Sequence, residues 1–324
     1  MTMTEPNANN AEKSSIDDMS ISVVMAVHTE ERLENIRAAL ESLRHQHLKP
    51  QAVIVAVDNN DALASLLQEQ FDWVTVVTNR NHRGASATRN RGVEVVETEY
   101  TAFLDDDETA DPTWLEELTR PFDEPDVVGT GGKYRPMWPT QMPIWFPPEF
   151  EWAVGGSYEG LPTVTAPVRN VWSGNMAVRT ESFRKVGGFS VDFGKRGTLP
   201  QPEDTDLCIR MAAATQGHWM YVPAATINHV VPPSRATFRF FVSRCFTEGS
   251  GKAAMRNRLE SESIIDTERD YAWTVLRTAM RRLCSLQWGE TLQGLVILLG
   301  LTSAASGYIL VQFKRMTSHR GRSS

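Results

Sequence analysis

The chain lacks the features that mark exported, nucleic-acid-binding or zinc-stapled proteins. Its three cysteines, Cys208, Cys245 and Cys284, lie far apart and form no Cys-x-x-Cys pair. That excludes a disulfide framework and a thiolate zinc site, and it predicts a reducing compartment. Positive charge is in deficit, with a net −7 over 324 residues, so nucleic acid is not expected as a partner. Residues 1–19 are polar and lack an apolar core of signal-peptide length, which predicts a disordered tail rather than an export signal. Glycine is absent from Val27 to Arg32, directly after the first apolar run, where a nucleotidyltransferase would carry its phosphate loop. The cluster Gly129-Thr-Gly-Gly132 does not match Gly-x-Gly-x-x-Gly and has no strand-turn-helix context, so it reads as a tight sheet corner.

What the chain does have is alternation. Ile21 to Val27 is a continuous apolar run of strand length, as in a strand buried on both faces. Helical spacing follows over Glu34 to Leu48, a second strand over Val53 to Val57, a helix over Ala62 to Gln70, and a third strand over Trp73 to Thr78. Ser86 to Glu97 reads as helix and Tyr100 to Leu104 as the fourth strand. The pattern predicts an α/β fold with a mostly parallel central sheet flanked by helices. In such a sheet the ligand lies beyond the carboxyl ends of the strands. His28-Thr29-Glu30, Asp58, Asn79 to Gly84 and Asp105-Asp106-Asp107 all fall there.

Three adjacent carboxylates repel one another and are tolerable only at a solvated strand end or around a cation. On an extended backbone Asp105 and Asp107 would project to one side, about 7 Å apart at Cα, a spacing suited to a divalent cation that also touches a diphosphate. A fifth strand is expected over Val127 to Tyr134, and an irregular loop over Pro136 to Pro167. Its aromatics either pack the loop down or form an acceptor platform. Val168 to Arg179 reads as one strand, Thr180 as the cap of a short helix, and Gly187-Gly188 as its stop. Glu203-Asp-Thr-Asp206 opens a helix to about Thr215, and His218 to Val222 is a short last strand with His229 just past it.

Seven pieces carry a family likeness. They are Val23 to Glu30, Val57-Asp58, Asn81 to Gly92, Phe103-Leu-Asp-Asp-Asp107, Ser173-Gly-Asn-Met-Ala177, Gly187-Gly-Phe189, and Glu203-Asp-Thr-Asp-Leu207 with Arg210. In this order they resemble glycosyltransferase family 2, inverting enzymes of the GT-A fold, over about Ile21 to Pro233. The resemblance implies a UDP-sugar donor, with Val27, His28, Glu30 and Asp58 around the base and Asp105 on the ribose. Asp106, Arg89, Gly174 and Asn175 complete the donor site; Asp107 holds a Mn2+ or Mg2+ that bridges the diphosphate. His229 is a candidate second ligand. Asp204 is implied as the base that deprotonates the acceptor hydroxyl, with Glu203 holding that role or orienting the acceptor. The family's Pro-x-Tyr/Phe-Asn turn is replaced here by Ala26-Val-His-Thr29, leaving the base-stacking partner unassigned.

Beyond Pro233 the chain changes character. Arg235 to Arg256 and Tyr271 to Leu286 are basic and amphipathic, and Thr291 to Phe313 holds no charge for 23 positions. Basic residues flank that segment on both sides, so the positive-inside rule does not orient it. Peripheral membrane contact at the cytoplasmic face of the cell membrane is the expectation, with packing on the catalytic domain or in a homodimer as the alternative. Val231-Pro-Pro-Ser-Arg-Ala-Thr-Phe238 with Arg244 to Gly249 is similar to glucosyl-dolichyl-phosphate glucuronosyltransferases and their bacterial relatives. That implies a saccharide or lipid-linked acceptor and UDP-glucuronate as donor, its carboxylate paired by Arg169 or Arg196. The expected organisation is thus a tail over 1–19, a GT-A domain over 20–233 and a helical extension over 234–324. The rival readings are a sugar nucleotidyltransferase and a non-catalytic sugar-nucleotide-binding or assembly protein; the first lacks its glycine loop, and the second is disfavoured by the full set of acids.

Overall fold

Ile21–Val27 forms strand β1, almost wholly buried, with Val23, Met25 and Val27 facing one hydrophobic cluster and Val24 the other. The computed structural model describes residues 19–158, 160–191, 194–196, 199–201, 203–259, 264–285 and 287–320. The expected tail therefore lies outside the described residues, apart from Met19. After β1 come a 3-10 turn over Glu30–Arg32, α1 (Leu33–Arg44), β2 (Ala52–Asp58), α2 (Asp61–Gln70), β3 (Thr75–Asn79), α3 (Ala85–Val93) and β4 (Tyr100–Leu104). Ile36, Ala39, Leu40 and Leu43 of α1 are fully buried against the β1 face, as their stripe requires.

The chain continues through β5 (Glu108–Ala110), α4 (Trp114–Thr119) and β6 (Val127–Met137), then a 3-10 stretch over Pro148–Val154, β7 (Ala166–Val168) and β8 (Asn175–Arg179). α5 (Thr180–Lys185), β9 (Gly194–Arg196), β10 (Leu199–Gln201), α6 (Glu203–Thr215) and β11 (His218–Val230) follow. The last three elements are α7 (Phe238–Leu259), α8 (Ile264–Leu283) and α9 (Trp288–Arg320).

The fold is α/β with a GT-A-like central sheet and C-terminal helices, but the sheet is mixed rather than mostly parallel. Its order is β3-β2-β1-β4-β8-β6-β11-β5, with β7 on β11. β3, β2, β1 and β4 run parallel; β8 pairs β4 and β6 antiparallel, and β11 pairs β5 and β7 antiparallel. β4 passes straight into β5 without a helical crossover, and the regular strand-helix alternation that gives parallel pairing ends there.

Several local expectations change for physical reasons. The run Val168 to Arg179 is two strands, because the chain turns at Trp172–Gly174 before β8. Thr180 does not cap α5; its hydroxyl bonds Thr101 Oγ1 at 2.8 Å, and Arg179 occupies the cap position. Gly187 and Gly188 end α5 with φ of 76° and 70°, where a side chain would be strained. The glycines of β6 form no corner. A Cβ at Gly131 would fall 2.3 Å from Val171 Cβ, so they permit close packing within a continuous strand.

The chain divides into two compact units. One comprises Met1–Arg135, Pro162–Gly194 and Pro202–His229; the other comprises Pro136–Leu161, Lys195–Gln201 and Val230–Ser324. In the second, the loop aromatics interlock with the helices: Phe146 and Phe150 are buried with ring centroids 5.7 and 5.3 Å from that of Phe241. Here packing accounts for them.

Candidate active site

Every sequence-predicted site residue except Arg196 lies in the first unit. β1 ends at Val27, which is buried, while His28 and Glu30 beyond it are exposed. Asp58, at the end of β2, accepts from the Gly84 N–H at 2.9 Å and from the side-chain amides of Asn59 and Asn79 at 2.9 and 3.3 Å. It thus fastens the 79–84 loop to the sheet edge. A carboxylate oxygen offers more than one lone pair, so Asp58 keeps acceptor capacity for a ligand.

The three acids after β4 do not continue the strand. They form a turn, closed by the Glu108 N–H to the Asp105 carbonyl at 3.3 Å, so Asp105 and Asp107 do not sit on the expected extended backbone. Asp105 Oδ1 accepts from Arg89 Nη2 at 2.5 Å. Asp106 turns inward and is buried, accepting from Arg32 Nη1 at 2.6 Å. Burial raises its carboxyl to about 6, with Arg32 opposing the shift. Asp107 Oδ2 stands 3.4 Å from Arg32 Nη1 and 4.0 Å from His229 Nε2.

His229 is not in a loop past the last strand. β11 extends to Val230, and the β11–β5 register sets His229 opposite Glu108, next to Asp107. A directly opposed pair in an antiparallel ladder lies about 4.5–5.5 Å apart, which is how residues so distant in the chain meet. Among the described residues no group of three His, Cys, Asp or Glu side chains is arranged to hold a metal; Asp107 and His229 form a pair.

The second acidic set opens α6. Glu203 Oε1 lies 3.7 Å from Arg89 Nη1, and Asp204 Oδ1 accepts from the Thr205 N–H at 2.6 Å. Arg89 therefore stands between Asp105 and Glu203. It is 4% exposed, so it is not a surface cation of α3, and its guanidinium lies 5.5 Å from the Phe189 ring centre. Burial works against its charge, but Asp105 and Glu203 outweigh it and hold the guanidinium protonated. Burial and the Glu203 charge raise the Asp204 carboxyl to about 7, against the pull of Thr205 and Arg89.

Gly174 backs the acids: a Cβ there would fall 2.7 Å from Glu108 Oε1 and 2.9 Å from Asp105 Oδ2. Asn175 is fully buried and spends its amide inside the sheet. It accepts from Trp114 Nε1 at 2.7 Å and donates to the Lys133 and Ala225 carbonyls, both at 3.1 Å. Its geometry is that of an internal clamp, not of an open donor contact. Arg169 donates from Nε to Asn170 Oδ1 at 2.9 Å, and the Arg196 side chain lies outside the described residues.

Three further groups belong to this site. Arg32 supplies the positive charge beside Asp106 and Asp107. Glu108, buried, accepts from the Asp105 N–H at 3.0 Å, and burial together with Asp105 raises its carboxyl well above the usual range. The buried Tyr134 phenol donates to the Trp172 carbonyl at 3.3 Å and is likewise raised by burial and by Glu108. The only sequence signal for Glu108 was a fourth consecutive acid; Arg32 and Tyr134 carried none.

Comparison with known proteins gives the family and the fold. Residues 22–187 match the family described as Glycosyl transferase family 2. The chain is 32% identical to the glucosyl-dolichyl phosphate glucuronosyltransferase of Haloferax volcanii over 242 residues, covering 73% of this chain and 77% of that one. It is 26% identical to the pre-mycofactocin glycosyltransferase of Mycobacterium tuberculosis, over 66% of this chain and 44% of that one. The fold matches a crystal structure of GalNAc-T7 with UDP, GalNAc and Mn2+ at a TM-score of 0.53 and 14% identity, over 79% of this chain and 54% of that one. The chain thus spans about half the length of the last two.

Proposed function

The chain belongs to glycosyltransferase family 2, and from that premise we propose a metal-dependent, inverting transfer from a UDP-sugar to the hydroxyl of a saccharide or lipid-linked acceptor. UDP-glucuronate is the first donor to test, because the archaeal relative of similar length is named for glucuronosyl transfer. The observation that carries the reading is Arg89, buried between Asp105 of the donor-side turn and Glu203 beside Asp204. It brings two acidic sets about a hundred residues apart in the chain to a single guanidinium.

In this reading Asp58 accepts from the base, Val27, His28 and Glu30 border it, and Asp105 faces the ribose. Asp107 and His229 suit a Mn2+ or Mg2+ as one carboxylate and one imidazole, leaving its other positions to the diphosphate and water; the ion would supply Lewis-acid relief of the leaving group's charge. Arg32 adds fixed positive charge beside Asp107. Asp204 takes the acceptor proton, because a carboxylate raised to about 7 is matched to that transfer near neutrality. Glu203 lies close to Arg89 and orients the pair. Placement at the cytoplasmic face of the membrane accords with a lipid-linked acceptor. The test is UDP release by the full chain over a panel of sugar nucleotides, with and without chelator. Turnover with UDP-glucuronate is expected; release from a different nucleotide sugar alone would reassign the donor, and none from any would remove the reading.

A further inference from the structure

The second unit carries one long helix with a row of exposed large apolar side chains. α9 is 33 residues, about 50 Å at 1.5 Å per residue, and an 18-residue window within Trp288–Arg315 has a mean hydropathy of 2.0 with 28% of that window buried. Trp288, Leu295, Leu299, Thr302, Ser306, Ile309 and Phe313 are all exposed, at successive spacings of seven, four, three, four, three and four. That spacing keeps them on one stripe. Trp288 is 76% exposed and Ile309 65%.

The opposite side of α9 is fixed to the protein. A Cβ at Gly249 would fall 1.8 Å from the Ala304 carbonyl oxygen, and one at Gly307 would fall 2.1 Å from that of Phe246, so α7 and α9 touch backbone to backbone. On the same turns of α7, Glu248 pairs with Arg244 at 3.4 Å and with Lys252 at 3.8 Å. A bilayer-crossing α9 would drag this ion cluster into hydrocarbon or break the glycine contacts. Lying in the membrane plane demands neither.

Charge identifies what covers the stripe. From Tyr271 to Ser324 the chain has seven lysines and arginines against one glutamate, within a protein of net −7. Arg277 and Arg281 are exposed on α8, and Lys314 and Arg315 are exposed just past the end of the stripe. An apolar stripe with basic residues toward both ends fits an anionic lipid surface, with the stripe among the acyl chains and the cations at the headgroups.

We propose that α9 is an in-plane membrane dock, its Trp288-to-Phe313 stripe seated in the interface of an anionic leaflet without crossing it. This rests on the glycosyltransferase reading only for its purpose, presentation of the enzyme to a lipid-linked acceptor. The test is flotation of the full chain with vesicles of phosphatidylcholine alone or with added phosphatidylglycerol. Binding at least tenfold stronger to the anionic vesicles is expected, and Leu299→Glu with Ile309→Glu should reduce it at least tenfold while circular dichroism and UDP release are unchanged. In a Cys284→Ser background, single cysteines at positions 295, 302 and 309 carrying a fluorophore should be quenched alike by a shallow lipid-borne quencher. Quenching markedly weaker at 302 than at 295 and 309 would mean a spanning helix and overturn the proposal. So would equal binding by the double variant, or a concentration-dependent dimer that ignores vesicles. Loss of UDP release with every sugar nucleotide while flotation persists would strike the proposed activity and leave the dock standing.

Discussion

Arg89 Nη2 lies 2.5 Å from Asp105 Oδ1, inside a unit where that arginine is almost inaccessible to water. Its other terminal nitrogen faces Glu203 at 3.7 Å. Arg89→Met therefore leaves two carboxylates facing each other without a counter-charge. Breaking a buried pair from one side destabilises by about 3–5 kcal/mol, and partial exposure of Asp105 reduces that to about 2–4 kcal/mol. The urea midpoint of the variant should fall accordingly, with Arg89→Lys intermediate. An unmoved midpoint would show that the guanidinium is not what joins the two acidic sets.

The proton chemistry predicts a pH profile. With Asp204 raised to about 7 by burial and Glu203, transfer should rise with pH up to about 7 and then level, because only the ionised base works. Glu203→Gln removes a charge that raises Asp204, so the acid limb should move to lower pH. The stability term has the opposite sense. A carboxyl raised in the folded state contributes most below its unfolded value of 3.8 and loses that contribution as pH climbs through about 7. Asp204→Asn should then unfold at higher urea than the parent at pH 8, by at least about 1 kcal/mol, while losing about 10²–10⁴ in turnover. A parent-like rate in Asp204→Asn would displace it as the base.

The parallel half of the sheet was legible because each of its strands is a local apolar run ended by polar residues; β4 lies where Tyr100 to Leu104 places it. The antiparallel half was not. β5 is three residues long, opens on an acid, and exists only because β11 pairs with it. No local period announces such a strand, and without it His229 looks like a loop residue. Arg32 reads as an exposed cation at a helix start until the Asp106 turn closes on it. Glu108 fails for a related reason: a fourth acid after three suggests solvent, whereas its neighbours Gly174 and Tyr134 enclose it.

Metal removal separates the Asp107–His229 pair from the base. Chelator should abolish transfer and Mn2+ or Mg2+ should restore it. His229→Gln should raise the Mn2+ concentration needed for half-activity by at least about tenfold, and Asp107→Asn more. Mn2+ binding followed by electron paramagnetic resonance in the presence of UDP gives a readout independent of turnover. Wild-type affinity in both variants would place the ion elsewhere.

The second unit contains its own electrostatic test. Glu149 Oε1 and Arg282 Nη2 pair at 2.8 Å with side chains 2% and 11% exposed, and the Tyr271 hydroxyl donates to the Glu149 carbonyl at 2.6 Å. Glu149 Oε2 and Arg282 Nε are buried without a hydrogen-bond partner, Nε lying 3.7 Å from Glu290 Oε2, so the hydrogen bonding of the pair is incomplete. Desolvation then offsets much of the attraction, and the pair as a whole contributes little, whereas either half alone is costly. Arg282→Met should destabilise by about 3–5 kcal/mol, since it strands a buried carboxylate beside Phe150 and Tyr271. Glu149→Leu combined with Arg282→Met should regain most of that loss, because neither charge then needs solvating. Calorimetry on the two single variants and the double closes the cycle, and the coupling should exceed about 2 kcal/mol. Simple addition of the single effects would mean that water reaches the pair, and that the helices of this unit pack more loosely around it than the buried ring contacts of Phe150 and Phe241 imply.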